Sequence, residues 1–305
     1  MRISQLAATV LAAGFFFGSA TAAPLKVPFD FSRGAVGLDV TIRGAHLFAL
    51  LDTGVDPSMI DIKRAQALGL KIDRKGGGEA SGVGDKKSAV VYPATIDGLA
   101  IAGHTFAPFD ALTGDTSPIS AGYGRPIDAV LGYSLLKNMT VFIDYEKQTV
   151  DIGAGRDGAA ARNCRVHWDM PLQFIDGDNT PIIPNFRFGA ALGPGTLDTG
   201  SNSSVTLFPR ALDLPGVRAA MVGSGESVHA GARGSVKYKS YTLGLPTGFG
   251  PFTLPAGTQI VLGSPMGDGD RRAANIGNRF FAALKLKILL DYPSKRITFY
   301  GQCAG

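Results

Sequence analysis

Two segments of this 305-residue sequence carry the same chemistry-bearing tripeptide. Asp52-Thr53-Gly54 closes the apolar run Leu47 to Leu51, and Asp198-Thr199-Gly200 follows Thr196-Leu197, 146 residues farther on. An aspartate at the end of an apolar strand is held away from bulk water. The glycine two residues later permits a tight turn and a close backbone approach. The threonine between them offers a hydroxyl to a second segment. One such unit holds a carboxyl rigidly; two units placed face to face bring two carboxyls together. Repulsion then raises one pKa, and the pair shares a proton across a wide acidic range. The ionised member can deprotonate a water attacking a peptide carbonyl, while the protonated member stabilises the forming oxyanion. This chemistry needs no metal, cysteine or histidine. His46, His104, His167 and His229 show no metal-ligand spacing, so neither a metal nor another cofactor is expected.

The elements that must position these carboxyls repeat with them. Val27-Pro28-Phe29-Asp30-Phe31 matches Met170-Pro171-Leu172-Gln173-Phe174 upstream, and Val130-Leu131-Gly132 matches Asn275-Ile276-Gly277 downstream. Phe142-Ile143-Asp144-Tyr145 matches Leu289-Leu290-Asp291-Tyr292 at a spacing equal to within one residue. A period this long is two copies of a domain, not a solenoid repeat. The expected layout is a segment 1–22, a first lobe 23–153, a Gly/Ala-rich linker 154–163 and a second lobe 164–305. Within the lobes the pattern is strands and turns. Val36 to Ile42 alternates at period two, and Ser88 to Ile96 is a further strand. Pro57 to Leu70 reads as a helix capped by Asp56 and stopped at Gly69, with a shorter counterpart at Pro209 to Leu212. Asp115-Thr116-Ser117 lacks a preceding apolar strand and reads as loop. Asp144 and Asp291 precede a tyrosine and a turn, which fits capping. Asp176-Gly177-Asp178-Asn179 lacks the closing Glu of a calcium loop and reads as a hairpin turn.

Composition narrows the class. Forty-one glycines and 18 prolines favour a β-rich fold with many turns. Arg2, the apolar run Leu6 to Phe17 and Ala20-Thr21-Ala22 have the form of a secretory signal peptide, too short to span a bilayer. A periplasmic or secreted chain is expected, with no stable membrane anchor after cleavage. In such a compartment Cys164 and Cys303 can form a disulfide or remain two buried thiols. The net charge of +5 is scattered, and the short basic clusters Lys86-Lys87 and Arg271-Arg272 are too small for a nucleic-acid footprint.

The motifs Leu51-Asp52-Thr53-Gly54 and Leu197-Asp198-Thr199-Gly200, with the later glycines Gly132 and Gly277, resemble the aspartic peptidase superfamily of pepsin-like and retropepsin-like enzymes. The segments between them resemble bacterial retropepsin-type domains more than pepsin. The resemblance implies a mainly β fold of two similar barrel lobes with an active-site cleft between them. It implies Asp52 and Asp198 as the catalytic pair, with Thr53, Gly54, Thr199, Gly200 and Ser201 in the supporting loops. Ser81-Gly82-Val83-Gly84-Asp85 resembles the glycine-rich flap tip, so Gly82, Val83, Gly84 and Asp85 are expected to close over a peptide or protein substrate. Both aspartates lie in one chain, so a monomer suffices. One departure stands out: Ser201 follows one motif, where a hydroxyl can bond the neighbouring carboxylate, and Val55 follows the other. Losing that bond implies a less acidic pH optimum than pepsin-like enzymes usually show. The activity expected is an endopeptidase; the alternatives are a catalytically silent peptide-binding protein of the same fold and a processing peptidase with one native substrate.

Overall fold

The alternation at Gly37–Ile42 folds as a strand that buries Leu38, Val40 and Ile42 and turns Asp39 to solvent. It pairs antiparallel with Ala45–Leu51, the strand that delivers Asp52. The same logic runs through the described residues, which are mainly β and form three sheets. Residues 25–85, 88–153, 163–175, 177–265 and 270–304 are described by the computed structural model. The segment 1–22, nearly all of the expected linker and Asp176 lie outside the described residues.

Each lobe is built on a ten-stranded sheet, and the two have matching strand orders. In the first, Ala129–Leu131 lies parallel to Ala45–Leu51 and antiparallel to Ser58–Asp61. In the second, Ala274–Gly277 lies parallel to Ala191–Asp198 and antiparallel to Val205–Leu207. Both sheets curl into half-barrels. The third sheet has six strands and belongs to both lobes: Leu25–Pro28, Thr149–Ile152 and Thr140–Asp144 from the first, then Lys287–Asp291, Arg296–Cys303 and Cys164–Pro171 from the second. Its centre is the antiparallel pair Thr140–Asp144 and Lys287–Asp291. One apolar core runs through both lobes, from Val36 and Leu51 to Phe186, Leu197 and Phe299. Cys164 and Cys303 face each other in register on the outer strand pair and form a disulfide.

Some local expectations are corrected. Pro57 to Leu70 is not one helix. Ser58–Asp61 is a strand, paired with both Phe109–Gly114 and Ala129–Leu131, and the helix covers only Ile62–Ala67. Long-range pairing overrides a helix-compatible pattern here, and the cap is Asp61, whose Oδ1 accepts the N–H groups of Lys63 and Arg64. The counterpart Pro209–Asp213 is a short 3₁₀ helix. Asp115-Thr116-Ser117 is not a plain loop, because it opens the helix Ser117–Tyr123. Thr116 is buried there, donating to the Ile127 carbonyl. Asp144 Oδ1 accepts from the backbones of Glu146 and Lys147, and Asp291 Oδ1 from Ser294, so both cap turns.

Candidate active site

Asp52 and Asp198 leave the ends of equivalent strands and meet between the lobes. Apolar residues on either side fix each loop; the Asp52 N–H donates to the Leu131 carbonyl at 2.9 Å. The threonines then lock one loop to the other in a reciprocal set of bonds. Thr53 Oγ1 donates to the Leu197 carbonyl at 2.7 Å, and Thr199 Oγ1 donates to the Leu51 carbonyl at 2.7 Å. Each hydroxyl also accepts the other threonine's N–H, at 3.1 and 3.0 Å. Both threonines are buried, so loss of either hydroxyl leaves backbone groups of the opposite lobe without partners.

The glycines make the approach possible. A Cβ at Gly200 would overlap the Asp52 carboxyl, and one at Gly54 would stand 2.9 Å from Asp198 Cγ. Gly132 and Gly277 recur because each backs a loop: a side chain there would strike the Val55 or the Ser203 carbonyl.

The two carboxyls are brought together, Asp52 against Gly200 of the opposite loop and Asp198 against Gly54. Burial and then the Asp198 charge hold Asp52 well above the ordinary carboxylate range, against the opposing pull of the Gly54 and Gly200 N–H groups. Asp52 is therefore the member that keeps the shared proton. Asp52 Oδ1 accepts from Gly54 N at 2.7 Å. Asp198 is the better supplied: Oδ1 accepts from the N–H groups of Gly200 and Ser201, both at 2.9 Å, and Oδ2 accepts from Asn275 Nδ2 at 2.7 Å. The contribution of Ser201 to the carboxylate is thus its N–H, whereas its Oγ accepts from Ser203 N.

Two participants escaped the sequence reading. Asn275 stands where the first lobe has Val130, and Thr196 Oγ1 donates to its Oδ1 at 2.6 Å, orienting the amide toward Asp198. A polar residue breaking an apolar repeat landmark was the available signal. Asn278 is buried beneath the second loop, donating to the Thr199 and Ser201 carbonyls. Tyr145, from the first lobe, donates to Asn278 Oδ1 at 2.6 Å. Burial raises the Tyr145 hydroxyl well above its usual range, so it remains a donor.

The expected flap tip is a hairpin end between Gly78–Ala80 and Ala89–Ile96. It meets a second hairpin from the other lobe, Met221–Gly231 paired with Gly234–Leu243. Arg233 Nε donates to the Gly82 carbonyl at 2.5 Å and Arg233 N to the Val83 carbonyl at 3.1 Å. Gly82, Val83 and Gly84 thus touch the opposite lobe, while Asp85 is exposed. Ala80, the last paired residue before the tip of the first hairpin, packs on the same apolar cluster as Val55 beside the Asp52 loop.

Residues 38–135 match a family model described as aspartyl protease. The chain carries the aspartyl protease pattern in its first lobe. Among solved structures it is similar to basic 7S globulin from soybean, at 12% identity and a TM-score of 0.51, covering 92% of this chain and 95% of that one. It is equally similar to conglutin gamma, a basic 7S globulin from lupine seeds, at 12% identity and a TM-score of 0.52 with the same coverage. At that identity the likeness shows the fold alone, the two-lobed pepsin-like architecture. No curated protein matches the chain in sequence.

Proposed function

We propose that this chain is an aspartic endopeptidase that hydrolyses peptide bonds with a water activated between Asp52 and Asp198. One observation carries the reading: two carboxyls, each set against the other loop's glycine, one of them supplied with three donors, on loops locked across the lobes by paired threonines. Asp198 serves as the base toward the water. Asp52 donates toward the carbonyl oxygen as negative charge develops on it. An extended peptide lies in the cleft beneath the two hairpins. Both lobes carry such a hairpin, as a symmetric pair of single lobes would, which supports a retropepsin-type chain acting as a monomer. The disulfide supports export to an oxidising compartment, periplasmic or secreted. No helix among the described residues is long and apolar enough to cross a membrane.

A silent peptide-binding role is the second reading, because the solved structures sharing this fold are described as globulins. Cleavage of an unfolded protein, with and without pepstatin, separates the two. Asp52→Asn or Asp198→Asn should each lower turnover by roughly 10²–10⁴-fold, the range of general acid–base catalysis. Turnover unchanged in both variants would remove the assignment.

A further inference from the structure

The underside of the second hairpin faces a cavity of about 280 Å³. One wall is Asn202 to Ser204, which directly continue the Asp198 loop; the other holds Ser227, His229 and Ser240 from the hairpin. The floor belongs to the second lobe's sheet, at Ile260 and Val261. A peptide lying across the dyad under this hairpin would project a side chain into that space.

The lining is polar and rich in donors. Ser240 Oγ donates to Ser227 Oγ at 3.1 Å, and Ser227 Oγ lies 2.8 Å from His229 Nε2. Arg279 closes the rim. Its Nε would stand 3.2 Å from a methyl placed on Gly34, so the side chain reaches toward the first lobe beside Asn202. The guanidinium is exposed, and none of the ion pairs among the described residues includes it. No carboxylate lines the cavity among the described residues. A forked cation without a counter-ion, flanked by hydroxyls and an amide, suits a carboxylate in two-point contact.

On the reading that the chain cleaves peptides, we propose that this cavity is the subsite for an acidic side chain next to the scissile bond, and that Arg279 selects it. A Glu-bearing peptide would then exceed its Gln isostere by at least roughly tenfold, as a hydrogen bond to a charged group implies. The preference belongs to Arg279, so Arg279→Gln should abolish it and Arg279→Lys should keep part of it. Arg279→Glu should turn it toward Lys and Arg.

The test is cleavage-site profiling of a peptide mixture by the full chain and these variants, read by mass spectrometry. Acidic residues enriched at one position beside the cut, and lost in Arg279→Gln, support the proposal. Cleavage with no such enrichment, or with enrichment that survives Arg279→Gln, overturns it and leaves the peptidase reading intact. A parallel arm measures Glu- and Gln-peptide binding to the uncleaving Asp198→Asn variant, with and without Arg279→Gln. If the native chain cleaves nothing, the peptidase reading fails, and this arm decides the subsite by itself. Equal binding of the two peptides there sinks the carboxylate assignment.

Discussion

Beneath the first hairpin the space is filled; beneath the second it is open. In the first lobe Phe48, Leu50, Met59, Val91, Tyr123 and Val130 form an apolar cluster. In the second, hydroxyls, an imidazole and Arg279 surround a cavity. The helix Ser117–Tyr123, which supplies Tyr123, has no counterpart among the described residues of the second lobe. Ser134, at the position matching Arg279, is buried and bonded to Ser58. The loops that hold the carboxyls are nearly identical, while the walls around them have diverged. Sharing a proton demands symmetry of the two loops. Gripping an asymmetric peptide does not, and the lobes differ where the peptide would lie.

The strongest way to break this comparison is at the two loop glycines. Gly200→Ala forces a methyl into the Asp52 carboxyl, and misplacing a reacting group by about 1 Å costs on the order of 10²-fold in rate or more. Gly54→Ala meets Asp198 less closely and should cost less; equal losses in kcat would show that the loops are not unequal. The next test is covalent. Only the second lobe is tied by a disulfide, so replacing Cys164 and Cys303 with Ser should lower stability by about 2–4 kcal/mol in denaturant titration. Unfolding that stays at the native midpoint would mean the strand pair holds without it.

Smaller effects sharpen the contrast within the dyad. Asn275→Val copies Val130 into the second lobe and removes a donor from the charged carboxylate. It should lower kcat/KM by roughly tenfold. Val130→Asn has no such donor to remove, and a loss of equal size would contradict the roles given to the two residues. The smallest effect is on stability. Asp52 is raised in the folded chain relative to an ordinary carboxylate near pH 4, so the folded state binds the extra proton. Its contribution is complete at pH values below the ordinary carboxylate pKa and is lost as pH rises through the raised one. Thermal midpoints across that window should fall with pH in the native chain and fall less in Asp52→Asn. Parallel curves would show that burial does not act on this carboxyl.

What could be read from the sequence was what is local and repeated. The dyad, its threonines and the later glycines recur in register, and the strands that carry them alternate. Misreadings arose where distant partners decide. Ser58 to Asp61 has no local mark of a strand, because its partners Ala111 and Val130 are remote in the chain. Asn275 lay inside a recognised landmark, yet its aim at Asp198 depends on Thr196. The second hairpin went unread because neither of its faces is a core face, so Met221 to Leu243 lacks a clean apolar alternation. Gly231 and Gly234, flanking two residues, were its turn signal.

The six-stranded sheet also sets an order of events during synthesis. Thr140–Asp144 can pair with Thr149–Ile152 as soon as the first lobe is made, but its other neighbour, Lys287–Asp291, belongs to the second lobe and emerges later. Until then the nascent chain shows an open β edge of Val141, Phe142 and Ile143. Such an edge pairs readily with strands of other molecules. A ribosome stalled between the lobes, or a cut in the joining segment before the lobes assemble, would release a half-molecule prone to aggregate. Completing the second lobe is thus what caps the first.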